Sequence, residues 1–135
     1  MKSRRASLLI GLTLLLAVLS LAAWFLFADE SPLNRASSIR TTLEWARLDP
    51  FPRSASHFHM QVLGNMFTRG FVADFDAPLP DINVWLTSSP GTRAVIPVQE
   101  GSTRRYAISP GGGALFAEVI VDDATGHVHV RTYWS

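Results

Sequence analysis

The longest stretch without a charge constrains this chain more than any other feature. From Ala6 to Ala28 it reads ASLLIGLTLLLAVLSLAAWFLFA, with no ionisable side chain. Its most apolar part, Leu8 to Phe27, is 20 residues long. As a helix rising about 1.5 Å per residue, that part spans about 30 Å, the thickness of a bilayer's hydrocarbon core. Lys2, Arg4 and Arg5 precede the run, and Asp29 and Glu30 follow it. Positive charge is retained on the cytoplasmic side, so the expected topology has the N-terminus inside and the remainder across the membrane.

A secretory signal peptide has the same front end, and Ser20-Leu21-Ala22 fits a small-x-small cleavage site. The apolar run continues past that site through Ala23, Trp24, Phe25, Leu26 and Phe27, so a cut there leaves an adhesive apolar end. The aromatic pair Trp24-Phe25 also suits the outer interface. The reading is therefore an uncleaved anchor, with a cleaved signal as the alternative. With no Cys anywhere in the chain, a lipoprotein anchor is excluded. The expected organisation is a cytoplasmic tip and transmembrane anchor over 1–28, a linker over 29–34 and an extracytoplasmic α+β domain over 35–135.

The 107 residues after Ala28 suffice for one domain. Without disulfides, that domain must rest on its core. Beyond the first five residues there are nine Arg against eleven Asp and Glu, so the sequence pI of 8.3 reflects the basic tip. No basic run or face is present, which argues against nucleic-acid binding.

Hydrophobic spacing predicts a helix from Asn34 to Leu48 on Ile39, Leu43 and Ala46, closed by Asp49-Pro50-Phe51-Pro52. Alternation predicts a strand from His57 to Leu63 and a second from Phe67 to Phe75, with a bulge near Gly70. Asp76 to Asp81 opens a short helix whose stripe is Ile82, Trp85 and Leu86. Strands are then expected over Arg93–Val98, Arg105–Ser109, Ala114–Val121 and His127–Tyr133.

The last two should form a hairpin about Asp123-Ala124-Thr125-Gly126. If Asp122 pairs with His127, then Val121 meets Val128, Val119 meets Val130, Ala117 meets Thr132 and Leu115 meets Trp134 on one apolar face. The other face sets Glu118 opposite Arg131, and a one-residue slip destroys both matches. The fold class that follows is α+β: an N-terminal transmembrane helix, then an antiparallel sheet with one or two short helices on one face.

The residues that bear chemistry are four His in two H-x-H pairs, His57/His59 and His127/His129. On a strand, positions i and i+2 share a face, so each pair can present two imidazoles to one ion. Convergence of all four requires the two strands to be neighbours, and no carboxylate near the first pair is evident as a supporting group. The preferred reading is a polar sheet face with no metal ligands and no bound cofactor.

Pro110-Gly111-Gly112-Gly113 leads from strand to strand and so is a turn, not a phosphate cradle. Arg104 and Arg105 read as solvated strand residues. Glu44, Asp49, Glu100 and Glu118 are scattered, and no nucleophile motif accompanies them, so no catalytic residue is assigned and the chain is not read as an enzyme. Trp45, Trp85 and Trp134 read as core or core-edge residues.

The expected role is a single-pass, membrane-anchored extracytoplasmic domain, held by residues 8–27, that binds another envelope component. The alternatives are a metal-binding domain built on the H-x-H pairs and a small enzyme without a motif.

Overall fold

In the computed structural model the backbone is described for residues 2–27 and 32–135, and side chains for 10–26 and 34–135. The chain forms two compact units, Met1–Ser37 and Ser38–Ser135. The first contains helix α1, Lys2–Phe27. The described side chains of α1 cover only 10–26, and among the described residues no helix is long and apolar enough to cross a membrane. The anchor expected over 1–28 and the linker expected over 29–34 lie partly outside the described residues.

Helix α2, Pro32–Ala46, begins and ends two residues before the expected 34–48. Its C-terminus has a physical cause. Arg47 takes a left-handed φ of 53°, its N–H donates to the Glu44 carbonyl, and Leu48 N–H reaches back to the Leu43 carbonyl. That is the Schellman closure, with Arg where Gly is usual. The residues that α2 buries most deeply are small: Ser38, Thr42 and Ala46. The Thr42 hydroxyl donates to the Ser38 carbonyl at 2.8 Å, so its burial strands no polar group. Ile39 and Leu43, expected to carry the stripe, are only half-buried.

Six strands follow: β1 Ser56–Gly64, β2 Arg69–Asp76, β3 Val98–Glu100, β4 Thr103–Ile108, β5 Phe116–Asp122 and β6 His127–Trp134. They form one antiparallel sheet in the order β1-β2-β6-β5-β4-β3. Helix α3, Leu79–Ser88, starts on Pro80 and Asp81 and buries Ile82, Trp85 and Leu86, the stripe that the spacing predicts. These three join Phe75, Tyr106, Val119, Val121, Val128 and Val130 in one core with Ala46 and Leu48. Helices α2 and α3 thus supply the core on one face of the sheet, giving the expected α+β layering.

Two strand expectations are corrected. Arg93–Val98 is not a strand. Turns continue from α3 through Arg93 N–H to Ser89 and Val95 N–H to Thr92, and Pro97 lacks the N–H a ladder requires. Only Val98–Glu100 pairs, as a short edge. The bulge expected near Gly70 lies instead on β1. Register shifts between Ser56 and His59, and His57 takes a φ of 50°. Gly70 pairs regularly on both sides.

The β5–β6 hairpin has the expected register from Asp122↔His127 to Ala117↔Thr132, including Glu118↔Arg131. Val119 and Val130 are fully buried. The side-chain partner differs, however. Glu118 pairs with Arg105 of β4 at 2.8 Å, while Arg131 lies 5.7 Å over the Phe116 ring. Glu118 is only 8% exposed, so it is not the solvated residue that alternation implies. Glu118→Ala is therefore expected to cost about 1.5–3 kcal/mol, the range for a hydrogen bond to a charged group. A double-mutant cycle in urea should show coupling of Glu118 to Arg105 and little to Arg131.

Pro110–Gly113 joins β4 to β5, a strand-to-strand turn as expected. Its glycine has a specific cause: a Cβ on Gly112 would lie 2.6 Å from Cδ1 of Trp45. Trp45 packs edge-on to Phe71 with centroids 5.2 Å apart. Trp85 is core, and Trp134, at the end of β6, is 43% exposed.

Candidate functional site

The face of the sheet opposite α2 and α3 carries every second residue of each strand. On β1 these include His59 and Gln61; on β2, Val72, Asp74 and Asp76; on β6, His127, His129 and Arg131. Because β2 lies between β1 and β6, its two carboxylates stand between the two H-x-H pairs. Asp74 is registered against His59 on one side and His129 on the other. Asp76 is registered against Ser56 and His127, and the β1 bulge turns His57 toward it.

The resulting contacts form a lattice. His127 Nδ1 is 2.7 Å from Asp76 Oδ1, and His57 Nδ1 is 3.0 Å from Asp76 Oδ2. His129 Nδ1 is 2.7 Å from Asp74 Oδ1, and His127 Nε2 lies 3.4 Å from that same oxygen. His127 therefore faces a carboxylate at each ring nitrogen, an arrangement that suits the imidazolium, the form in which both nitrogens donate. The lattice is open to solvent, with the His57 side chain 82% exposed and that of His129 34%.

The electrostatics follow from these bonds. The hydrogen bond to Asp76 raises the His127 pKa above its usual 6.5, with burial opposing. The reciprocal bond from His127 lowers the Asp76 pKa below 3.8, again against a desolvation penalty and with help from His57. A raised His pKa contributes stability that is complete below the unfolded value and lost as pH rises through the folded one. A depressed Asp pKa contributes stability present above the unfolded value and lost as pH falls through the folded one. The pair is thus strongest between about pH 4 and 6.5. In an NMR titration, the His127 ring should show a midpoint above 6.5, and Asp76→Asn should bring it down. A midpoint unmoved by Asp76→Asn would show that the hydrogen bond is not the cause.

The strands bearing the H-x-H pairs are not neighbours. One sequence expectation is corrected: carboxylate partners for the His rings exist, supplied by β2 at separations of 51 and 55 residues from His127 and His129. Alternation along β2 places Asp74 and Asp76 on one face, but which His they meet depends on strand order. Among the described residues, no three His, Asp or Glu side chains converge to hold a metal ion.

Arg104 is not solvated: its guanidinium contacts Asp123 Oδ1 at 2.6 and 2.9 Å, the Tyr106 hydroxyl at 3.0 Å and Asn83 Oδ1 at 3.0 Å. It ties β4 to the hairpin turn and α3, which is a structural role. Of the carboxylates considered from sequence, Glu118 is paired with Arg105, and Glu100 is on the β3 edge. Asp49 borders an open cleft of about 640 Å³ with Arg53, Ser54, Asp81 and Trp85. Two of the polar groups there are paired, Ser54 Oγ with Asp81 at 2.6 Å and Trp85 Nε1 with the Asp49 carbonyl at 3.0 Å.

Fold and site together define a small α+β domain with a helix-covered sheet face and an open, His- and Asp-bearing one. No family model matches the sequence, and no curated protein and no solved structure is significantly similar to it.

Proposed function

We propose that this chain is a single-pass membrane protein whose extracytoplasmic domain binds another envelope component through the open sheet face. The anchor part of the reading rests on residues 8–27, on the charge asymmetry around them, and on the helical backbone of α1. The binding part rests on one observation: three imidazoles and two carboxylates, ordered by mutual hydrogen bonds, stand on the face that the helices leave uncovered. Ordered polar groups on a rigid sheet lose little freedom when they meet a partner, and so suit specific recognition. Protonation of His127, whose pKa the Asp76 hydrogen bond raises, makes the charge of the face pH-dependent.

The test uses the full chain in its native envelope. A photo-crosslinking residue at Gln61, beside the lattice, should give one discrete adduct, whereas the same residue at Val84 on α3 should give none. Asp74→Asn combined with Asp76→Asn should abolish the adduct. Equal crosslinking from both positions, or none from Gln61, overturns the binding reading. For the anchor, a reporter active only outside the cytoplasm and fused after Ser135 should be active, and the chain should resist carbonate extraction. A shortened, soluble product overturns it.

A further inference from the structure

One end of the sheet has a composition unlike the rest of the domain. The β1–β2 turn presents Met66 and Phe67, 89% and 76% exposed, at the positions of a hairpin where polar residues are usual. The turn is held firmly. Asn65 N–H donates to the Thr68 carbonyl at 2.9 Å, and the Asn65 side-chain oxygen accepts the Phe67 N–H at 2.9 Å. Beside it, Leu63 and Tyr133 flank Gly70, on which a Cβ would lie 3.6 and 3.7 Å from their side chains. Trp134 is registered against the exposed Arg69, and Leu115 N–H donates to the Tyr133 carbonyl. Residues 63–70, 114–116 and 133–135 include no Asp or Glu. The carboxylates of β2 and of the β5–β6 turn lie toward the opposite end of the sheet.

We infer that this end of the domain, led by Met66 and Phe67, inserts into the interfacial layer of a lipid bilayer. Aromatic rings with a neighbouring Arg and no acidic residue are the chemistry that headgroup layers favour. An ordered turn gives up little entropy on insertion, whereas free exposure of such side chains serves no folding purpose. The inference rests on the anchor reading, which supplies the bilayer. Only ten residues lie between Phe27 and Ser38, a tether of at most about 40 Å even when fully extended, so the body stays at the membrane surface. Insertion of this tip would fix which side of the domain faces lipid and would leave the lattice end free.

The chain has no Cys, so single-Cys variants of the full protein can each carry one bimane label. Met66→Cys, Leu12→Cys and Val84→Cys are reconstituted in phosphatidylcholine vesicles, with and without lipids bearing a nitroxide quencher on the acyl chain near the headgroup. The Met66 label should be quenched by these lipids at least threefold more than the Val84 label and should resist aqueous iodide. The Leu12 label reports on the anchor separately. If Met66 is iodide-accessible while Leu12 is lipid-quenched, the tip inference fails and the anchor stands. If both are iodide-accessible, both readings fail. If Met66 is shielded from iodide yet not quenched by lipid, protein covers it, and the lipid assignment is overturned.

Discussion

Val130→Asp is expected to abolish folding of the domain. Val130 is fully buried at the centre of β6, registered against Ala73 of β2 and Val119 of β5, each itself fully buried. A carboxylate there meets no donor from these apolar neighbours, so its charge loses hydration without replacement. The cost exceeds about 4 kcal/mol, most or all of the roughly 5–10 kcal/mol by which a domain of this size is stable. Val130→Ala removes packing without introducing charge and is expected to cost about 2 kcal/mol. Circular dichroism and urea titration of the full chain in detergent distinguish the two. An aspartate variant that retains the wild-type urea midpoint would mean that β6 does not cross the core in this register.

Phe75→Ala is the second large effect. Its side chain is fully buried between layers, with ring centroids 5.2 Å from Phe51, 5.7 Å from Trp85 and 6.4 Å from Phe58. These partners come from the segment after α2, from α3 and from β1, so one deletion loosens three elements. The expected loss is about 3–5 kcal/mol, the range for emptying a buried aromatic site. Phe75→Leu keeps most of the volume and should cost about 1.5 kcal/mol or less. The near-ultraviolet dichroism of Trp85 should weaken in the alanine variant, since the ring loses its edge-to-face neighbour. An unchanged urea midpoint would show that the cluster closes over the gap or was never tight.

The same two residues show what kind of information each level holds. Val130 was readable from sequence because its partner Val119 lies across a short turn. Local alternation fixed both faces of the hairpin together, and the register followed. The stripe of α3 was readable for the same reason: Ile82, Trp85 and Leu86 recur at the helical period, and Pro80 and Asp81 mark the start. The Phe75 cluster was not readable. Its rings are far apart along the chain, and no periodicity says that Phe51, Phe58 and Trp85 meet. Gly112 looked like a flexible turn residue, yet its necessity comes from Trp45, brought close only by the packing of α2.

By itself, the sequence determined the apolar segment and its flanking charge, the α+β class, the β5–β6 register and the alternation that gives His127 and His129 a common face. These depend on neighbours within a turn or a hairpin, where covalent geometry limits the choices. Only the tertiary structure decided that β2 runs between β1 and β6. That strand order inserts Asp74 and Asp76 between the two His pairs and turns a possible ligand set into a hydrogen-bonded lattice. It also decided that Glu118 answers Arg105 and not Arg131. Both outcomes depend on which strands become neighbours across long loops, a choice made by burial of the whole core and not by any local pattern.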